Sequence, residues 1–484
     1  MTDFEKCFPE GEVYLVGGAV RDFLLDRSTK DVDFLIRKVP IVSLNHFLNQ
    51  HGKANFVGKN FGVYKFIPTG TTDEIDVALP RTERSFTYQG GYRDFEVETN
   101  SDLSVLEDLK RRDFTINAMA LDMKRFCLID PFDGLNDLAQ GRLRAVGTPE
   151  IRFSEDYSRL LRGLRFSCQF DFEFDPETKK ALFERIGFLN AKREDGTFVV
   201  PRETIAKEFL KALCCHPVRM FDLWDESGAF AELIPELLKM KDTPQPPQFH
   251  SEGDVWAHTR LALSQLTSLA FCEEFQTEFN AEVALAVLLH DVAKPVTIKT
   301  PERDGTDRIR FDNHDHVGAA MAREIIKRLK LASLPKSSRY AINEDAVSWL
   351  IEKHLILVCG DADKMRASTI EKYFLDPKVP GPSLMRLIFC DGNAAIPADD
   401  PLPKMRHYQQ LKNRLEKMKQ LRKESGKAIV PFLSGHEIIS LFGIKTGPEV
   451  GQYLALLREE QLSERITNRD EAIAFLRQRA ATTS

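Results

Sequence analysis

The chain has 484 residues, of which 43% are hydrophobic and 29% are charged, and its net charge is −6. This length exceeds what one hydrophobic core can support and predicts roughly two to four domains of ordinary globular composition. The slightly acidic balance gives no global sign of nucleic-acid binding, so an RNA-binding surface would have to be local.

The sequence also carries information on location. Residues 1–10 are acidic and have no apolar core, which argues against a signal peptide, and no window approaches the apolar length of a membrane span. The eight cysteines are scattered without a CxxC pair, which indicates reduced thiols and no zinc knuckle. We therefore expect a cytoplasmic protein without a membrane partner. A monomer and a homodimer are both compatible with the sequence.

The first motif combines a short apolar run, Val13 to Val16, with two glycines and a helical pattern. This order predicts a strand, a tight turn and a helix. Gly17 and Gly18 allow the backbone to approach a ligand, and the helix start directs free N–H groups at an anion. Arg21 lies in the first turns of this helix, where it is placed to hold a phosphate.

The run KDVDFLI predicts a second strand that carries Asp31 and Asp33. Residues two apart in a strand share a face, so the two carboxylates should lie side by side. Mg²⁺ prefers such oxygens and fills the rest of its shell with water and phosphate. A lone DxD is usually a solvated strand edge, but after a glycine turn it predicts a metal-dependent site for a nucleoside triphosphate. Two more strands are predicted over 64–68 and 74–79, and Asp76 is a candidate third carboxylate.

Two segments follow that bear on this site. Residues 81–100 are polar and lack a hydrophobic pattern, which predicts a mobile loop. The stretch LKRRDFTINAMA, residues 109–120, has a helix-like pattern and mixes charged and amide side chains with apolar ones. We interpret it as a buried wall whose polar edge faces a ligand, although a solvated helix start is the alternative. Its polar residues are Arg111, Arg112, Asp113 and Asn117.

A new helix is predicted to begin at Ser154, a favourable N-cap residue. The sequence EDYSRLLRGLRF then places Asp156, Arg159 and Arg162 at steps of three along one face. Arginine donors and aspartate acceptors suit the edge of a nucleic-acid base, but the spacing fits a surface salt bridge equally well. A further helix is predicted over 203–213.

The N-terminal part of the chain contains five motifs, in the order GGAVRD, KDVDFLI, RRDFTINAMA, IDPFDGLNDL and EDYSRLLRGLRF. These motifs and their order resemble the class II tRNA nucleotidyltransferases, the CCA-adding enzymes of the DNA polymerase β superfamily, over about residues 11–215. The resemblance implies that Asp31 and Asp33 bind the catalytic Mg²⁺. It also implies a nucleotide-binding set, with Gly17, Gly18 and Arg21 on the triphosphate, Arg111, Arg112, Asp113 and Asn117 chiefly on sugar and phosphates, and Asp156 and Arg159, supported by Glu155, pairing with CTP or ATP. Thr204 departs from the family pattern, in which an arginine is common.

A proline-rich linker, residues 242–248, precedes a second group of polar residues. A lone histidine on an apolar helix usually packs in a core. Here a neighbouring His–Asp pair ends an apolar helix and is bracketed by histidines and an aspartate on other predicted helices. Imidazole and carboxylate together suit transition metals such as Mn, Co, Ni or Zn. The residues are His258, His290, Asp291, His314, His354 and Asp391.

This second stretch resembles the HD phosphohydrolase superfamily, in the form that is fused to bacterial CCA-adding enzymes. The resemblance implies hydrolysis of small phosphoesters, including 2′,3′-cyclic phosphates and 2′-nucleotides. It implies a site for a transition metal such as Mn²⁺, Co²⁺ or Ni²⁺. The ligands would be His258, His290, Asp291 and Asp391, with His314 and His354 flanking them for a second metal or for phosphate.

The last part of the chain is basic and helical in pattern. Residues 405–427 carry many lysines and arginines, which predicts either a solvated helix or a contact with the RNA backbone. Residues 431–457 predict two helices around a Gly-Pro turn. This region resembles the small tail domain of the same family, which implies a role in gripping tRNA.

We therefore expect an α+β protein: a nucleotidyltransferase head with a small mixed or antiparallel sheet (1–145), then an all-helical neck (146–240), an HD domain (245–400) and a tail (401–484). The expected activity is the addition of CCA to the 3′ end of tRNA from CTP and ATP, with a phosphohydrolase activity in the HD domain. Three alternatives stay open: an enzyme that adds only A or only CC, a poly(A) polymerase, and a non-catalytic RNA-binding protein.

Overall fold

The computed structural model describes residues 2–29, 31–57, 63–85, 90–91, 95–357, 362–398, 403–425, 432–462 and 465–483. The chain divides into two compact units. The first comprises residues 1–235 and 328–334, and the second comprises residues 236–327 and 335–484. Within the described ranges, no helix combines the length and apolar character needed to cross a bilayer. The predicted four-domain division stays a prediction.

The N-terminal part of the first unit contains a mixed sheet and a separate strand pair. The strands of this part are β1 (Glu12–Val16), β2 (Asp33–Arg37), β3 (Gly52–Val57), β4 (Val63–Pro68), β5 (Ile75–Ala78), β6 (Arg81–Ser85), β7 (Phe95–Thr99), β8 (Ala120–Asp122) and β9 (Cys127–Ile129). Seven of them pair in the order β3-β4-β5-β2-β1-β8-β9. Strands β2 and β5 run parallel, and the other neighbours are antiparallel. The α+β class with a mixed sheet is confirmed.

The centre of this sheet is covered on both faces. Tyr14 and Leu35 pack on one face with Leu109. Val13 and Ile36 point to the opposite face, where they join a separate core cluster. Because successive strand residues alternate between faces, strands covered on both sides read as continuous apolar runs, as β1 does.

Two local predictions in this region are wrong. Asp31 precedes β2, which begins at Asp33, so the two carboxylates do not both lie within the strand. Strands β6 and β7 pair with each other where the sequence predicted a loop without regular structure. Alternation in FEVET is the signal that the loop prediction overlooked. Residues 86–89 and 92–94 of that predicted loop lie outside the described residues.

Helices make up most of the remainder of the first unit, beside one two-residue strand pair, β10 (Arg142–Leu143) with β11 (Glu173–Phe174). The helices are α1 (Thr2–Cys7), α2 (Gly18–Leu24), α3 (Ile41–His51), α4 (Val105–Lys110), α5 (Gly134–Ala139), α6 (Pro149–Glu155), α7 (Ser158–Phe170), α8 (Pro176–Arg185), α9 (Arg202–Cys215), α10 (Pro217–Glu226), α11 (Ala229–Leu233) and α12 (Pro235–Leu238), whose last residues belong to the second unit.

Two helix predictions need correction as well. The stretch 109–120 is not one helix, because α4 ends at Lys110 and the chain continues through a single 3₁₀ turn, Thr115–Asn117, into β8. Ser154 does not start a helix, because it lies inside α6. The next helix, α7, starts at Ser158 after a break at Asp156, whose backbone is extended. This break lets Tyr157 stack on Phe188, with ring centroids 4.8 Å apart.

The second unit is predominantly helical and includes one short strand pair, β12 (Ile298–Lys299) with β13 (Arg310–Phe311). The predicted pair of helices near the C-terminus is confirmed as α23 and α24, and a further helix follows them. The helices are α13 (Val255–Gln265), α14 (Leu269–Phe275), α15 (Ala281–Leu289), α16 (Lys294–Thr297), α17 (Pro301–Asp304), α18 (His314–Arg328), α19 (Glu344–Lys353), α20 (Ala367–Ile370), α21 (Gly381–Ala394), α22 (Pro403–Ser425), α23 (Gly435–Phe442), α24 (Pro448–Leu462) and α25 (Arg469–Thr483).

Candidate functional site

Two strands of the sheet bring carboxylates together in the first unit. Asp33 on β2 is the register partner of Asp76 on the adjacent parallel strand β5. The pKa of Asp33 is raised to about 6, chiefly by burial and further by the charges of Asp76 and Asp31, although Arg112 opposes the shift. Lys65 lies 2.6 Å from Asp76 and pairs with it. The candidate third carboxylate is therefore placed beside Asp33 by the sheet.

The glycine turn lies directly beside Asp33. Gly17 has a φ of +70°, which favours glycine, and it precedes the first residue of α2. A Cβ atom at Gly17 would overlap the guanidinium of Arg112 and would lie 3.6 Å from Asp33 Oδ2. A Cβ atom at Gly18 would lie 3.3 Å from Arg21 Nη2. Both glycines therefore keep the backbone close to two arginines and one carboxylate.

Arg21 is buried and held on several sides. Its Nη1 donates to Asn117 Oδ1 at 2.5 Å, and its Nη2 donates to Asp22 Oδ1 at 2.7 Å. Its guanidinium carbon lies 4.6 Å from the ring centroid of Phe170 and 5.5 Å from that of Phe166. These contacts fix the guanidinium between the 3₁₀ turn and helix α7.

Asp108, which the sequence did not single out, organises the two neighbouring arginines. Its side chain is fully buried, and it accepts from Arg111 Nη2 at 2.7 Å and from Arg112 Nη2 at 3.3 Å. Burial raises the pKa of Asp108, but the two guanidinium groups outweigh it and hold this pKa below its ordinary value. No pattern in EDLKRRD marks this aspartate as buried, because the segment reads as a solvated helix end.

Asp113 joins the turn to helix α7. It accepts from Arg162 Nη2 at 2.7 Å, from the Phe114 amide at 2.8 Å and from Asn117 Nδ2 at 3.1 Å. Burial raises the pKa of Asp113, but Arg162 and these hydrogen bonds hold it well below its ordinary value. Since Asn117 also accepts from Arg21, a hydrogen-bonded chain connects Arg162 to Arg21.

The residues of the predicted base-reading face are split by the helix break. Asp156 lies before α7 and accepts from the Ser158 amide at 2.8 Å, and burial raises its pKa. Arg159 donates to Glu155 Oε2 at 2.6 Å and to the carbonyls of Arg152 and Arg111. Asp156 therefore lies outside the helix that carries Arg159 and Arg162, and the three residues do not form one helical face.

The 81–100 segment contacts the break between helices α6 and α7. The carbonyl of Gly90 accepts from the Tyr157 amide at 3.0 Å, and any side chain at position 90 would overlap the Tyr157 ring. The described part of the 81–100 segment therefore contacts the residue next to Asp156.

In the second unit, the four predicted ligands and the two predicted flanking histidines form one buried cluster. His258, His290 and Asp391 make one group whose donor atoms lie within 4.8 Å of one another. Asp291, His314 and His354 make a second such group. These residues come from α13, the end of α15, the start of α18, the turn that follows α19, and α21.

Asp291 lies between the two groups. Its Oδ2 is 3.2 Å from His290 Nε2, and its Oδ1 is 3.5 Å from His314 Nε2 and 4.0 Å from His354 Nε2. Burial lowers the pKa of His314, and it lowers that of His354 to about 3 with the help of neighbouring imidazoles. Metals bind neutral imidazole, so these pKa shifts suit ligand roles.

The buried donor atoms are consistent with a metal site. His314 Nε2 is buried and makes no hydrogen bond to any residue that the structure describes. A buried nitrogen that makes no hydrogen bond is costly unless something else, such as a metal ion, binds it. Imidazole and carboxylate are the donor types that transition metals take.

Two residues of this cluster were missed by the sequence reasoning. Lys294 is buried, and its Nζ lies 2.7 Å from Asp291 Oδ2 and donates to Gln245 at 2.7 Å. Glu252 accepts from His258 Nδ1 at 2.8 Å. The position of Lys294 in HDVAK, one turn after the His–Asp pair, and that of Glu252 in HSEGDVWAH were the available signals.

The basic stretch 405–427 forms most of helix α22. Lys412 pairs with Glu274 at 2.8 Å, and Arg414 donates to the carbonyl of Ala362 at 2.5 Å. Tyr408 and Leu411 of the same helix are buried. The helix thus packs within the second unit, and contact with RNA stays a prediction. Residues 426–431, and so Lys427, lie outside the described part of the chain.

Comparisons with known proteins agree with this architecture. The family model described as the poly A polymerase head domain matches residues 13–144, and the HD domain model matches residues 255–374. Among curated proteins, the multifunctional CCA protein of Nitrosococcus oceani is 36% identical over 321 residues, which is 66% of this chain and 70% of that protein. The multifunctional CCA protein of Alkalilimnicola ehrlichii is 35% identical over 367 residues, which is 75% of this chain and 78% of that protein.

Solved structures show the same fold. The chain is similar to the Bacillus stearothermophilus CCA-adding enzyme in complex with CTP, with a TM-score of 0.64 at 21% identity over 100% of this chain and 96% of that one. It is also similar to the Thermotoga maritima CCA-adding enzyme complexed with tRNA, with a TM-score of 0.60 at 19% identity over 99% of this chain and 93% of that one.

Proposed function

The chain belongs to the family of multifunctional CCA proteins, and on this basis we propose that it adds CCA to the 3′ end of tRNA from CTP and ATP. The observation that carries the proposal is the position of Asp33 beside Asp76 and the Gly17 turn. In the proposed reaction the 3′-hydroxyl of tRNA attacks the α-phosphate of the nucleotide, an O–P bond forms, and pyrophosphate leaves.

The carboxylates supply the ligands for a divalent cation. Asp31, Asp33 and Asp76 offer hard oxygen donors of the kind that Mg²⁺ prefers, and the pKa of Asp33 is raised chiefly by burial and further by the charges of the other two carboxylates. When bound, Mg²⁺ would lower the pKa of the attacking hydroxyl and neutralise charge on the triphosphate. The family resemblance gives this role to Asp31 and Asp33, and register pairing supports Asp76 as an additional ligand.

The surrounding arginines suit the triphosphate. Arg21 and Arg112 lie beside the two glycines, and Arg112 and Arg111 are fixed by Asp108. Groups that are already oriented stabilise developing charge without reorganising during the reaction. We propose that these arginines and the backbone of Gly17 and Gly18 bind the phosphates, with Asp113 and Asn117 nearer the sugar.

Base selection would fall to the residues around the helix break. Asp156 and Arg159 would pair with the incoming base, and Glu155 would support them. What supports this proposal is that each side chain is already held: Asp156 by the Ser158 amide and Arg159 by Glu155. Arg162, held by Asp113, completes the set.

The test uses tRNAs that end at the discriminator base, at C and at CC, each with one nucleotide at a time. We expect CTP to extend the first two and ATP to extend the third by one residue. Extension of all three by ATP alone would instead indicate a poly(A) polymerase. Addition restricted to C or to A would indicate a partial enzyme, and no addition would refute the transferase.

A second function is favoured by the buried histidine cluster. We propose that it hydrolyses small phosphoesters, including 2′,3′-cyclic phosphates and 2′-nucleotides, with Mn²⁺, Co²⁺ or Ni²⁺ held by His258, His290, Asp291 and Asp391, and with His314 and His354 as ligands of a second ion. When bound, such ions would lower the pKa of a water molecule and polarise the phosphoryl group. Metal-stripped protein should hydrolyse 2′,3′-cyclic AMP only after one of these ions is restored, and failure with all three would refute the proposal.

A further inference from the structure

In all four histidines of the metal cluster, Nδ1 contacts an oxygen and Nε2 faces the aspartates. The oxygen is a backbone carbonyl in three of them and a side-chain oxygen in the fourth. His290, His314 and His354 contact the backbone carbonyl three residues earlier, at 2.8, 2.8 and 2.5 Å. His258 instead contacts a side chain, Glu252 Oε1, at 2.8 Å.

This difference matters because the partner of Nδ1 sets the tautomer. A backbone carbonyl or a carboxylate accepts a hydrogen bond from Nδ1–H, so the proton stays on Nδ1 and Nε2 carries the free lone pair that a metal requires. Carbonyl partners are supplied by the fold itself. The tautomer of His258 depends on one residue, Glu252, whose side chain is 1% exposed.

Glu252 also connects two ligand-bearing segments. Its Oε2 accepts from the amide of Ile396 at 2.9 Å, and the neighbouring Ser251 donates its amide and hydroxyl to the Ile396 carbonyl at 2.7 Å each. Ile396 follows helix α21, which carries Asp391. Between the two segments that Glu252 connects, His258 Nε2 lies 3.1 Å from Asp391 Oδ1.

We propose that Glu252 is a positioning residue of the metal cluster, which keeps His258 in the Nδ1–H tautomer and holds it against Asp391 so that Nε2 binds the ion. The inference rests on the proposed metal-dependent function of this cluster. Glu252 itself does not contact the ion.

A competing arrangement is a separate ion held by His250, Glu252 and His258, whose donor atoms also lie within 4.8 Å of one another. That arrangement would use His258 Nδ1 as a ligand. A neutral imidazole has only one free lone pair, so Nε2 would then carry the proton and could not serve beside Asp391. Glu252 Oε1 is also already shared by the Nδ1 atoms of His250 and His258, at 2.7 and 2.8 Å.

The experiment compares wild type with Glu252→Gln and Glu252→Ala in the full chain, and Glu273→Gln on the exposed side of α14 is the matched control. Titration with Ni²⁺ or Co²⁺ alone gives affinity and stoichiometry. We expect both Glu252 variants to bind about 10- to 100-fold more weakly with an unchanged number of ions. Unchanged affinity would overturn the proposal, and the loss of one ion would identify Glu252 as a ligand and overturn it as well.

A second measurement needs no metal. In metal-free protein labelled with ¹⁵N-histidine, the His258 signal, assigned from a His258→Gln spectrum, should show Nδ1–H in wild type and a tautomer mixture in Glu252→Gln. An unchanged tautomer would contradict the proposal even if the cluster proved to bind no metal, so the two failures remain distinct. The circular dichroism and thermal unfolding of each variant verify folding, and the near-isosteric Gln variant serves if the Ala variant fails to fold.

Discussion

Asp33 and Asp76 are register partners on parallel strands, so their carboxylates lie on the same face of the sheet beside the Gly17 turn. Neither the strand pairing nor the shared face can be predicted from the local sequence around either residue. The pairing brings a third carboxylate to the predicted Asp31–Asp33 pair, and the charge of Asp76 adds to the rise in the pKa of Asp33 that burial chiefly causes.

The first prediction concerns nucleotide addition. Asp33→Ala should reduce incorporation of CTP and ATP into tRNA by at least ~100-fold, because it removes a central ligand of the proposed Mg²⁺ site. Binding of tRNA should survive, as gel-shift titration can measure. Asp73→Ala, at an exposed position before β5, is the control and should retain activity. Incorporation at the wild-type rate by Asp33→Ala would refute the metal assignment.

The second prediction concerns the pH dependence of local stability in metal-free protein. The pKa of Asp33 is raised from 3.8 to about 6 in the folded protein. Between these pH values the folded state binds the proton more tightly than the unfolded state, so the contribution of Asp33 to stability falls as pH rises. Asp33→Asn should therefore gain stability relative to wild type as pH rises through this window and keep the gain above it.

The full pKa shift corresponds to about 3 kcal/mol, and the partial exposure of Asp33 reduces the expected gain to about 2 kcal/mol. Amide hydrogen exchange of the β1–β2 peptides, measured with a chelator present, reports this local stability. A difference between variant and wild type that does not vary with pH would show that the Asp33 carboxylate does not titrate in this range.

The sequence predicted the two candidate sites best where functional side chains lie next to a regular pattern of apolar residues. Strand β1 and the glycine turn follow from local patterns, and the structure brings together the six histidines and aspartates that the sequence singled out in the second unit. The errors lie where tertiary contacts override local preference. Ser154 has the chemistry of an N-cap, but the chain breaks two residues later, where Tyr157 stacks on Phe188. Asp108 is fully buried between two arginines, and no local pattern around it reveals this burial.

The third prediction concerns the hydrogen-bonded chain between Arg162 and Arg21. Asn117→Ala should raise the KM for both CTP and ATP by about tenfold, because Arg21 and Asp113 lose the side chain that orients them. The kcat should change less, since the carboxylates are untouched. Asn136→Ala, at an exposed position on α5, is the matched control. An unchanged KM would show that Arg21 is held well enough by Asp22.

The fourth prediction separates the two groups of ligands in the second unit. Asp291 faces His290 with one carboxylate oxygen and His314 with the other, whereas Asp391 belongs to the group of His258 and His290 alone. Asp291→Ala should therefore abolish binding of both ions, and Asp391→Ala should abolish binding of one. Metal content after dialysis against Co²⁺ or Ni²⁺ measures the difference.

The same variants show whether the two activities are separate. Asp291→Ala should remove phosphoester hydrolysis and leave nucleotide addition at the wild-type rate, because the carboxylates of the transferase site lie in the other unit. Asp345→Asn, which alters an exposed ion pair with Arg323, controls for the loss of a charge in the second unit. Loss of both activities in Asp291→Ala, with Asp345→Asn unaffected, would mean that the cluster supports the fold of the whole chain. Retention of both ions by Asp291→Ala would show that Asp291 does not bridge the two groups.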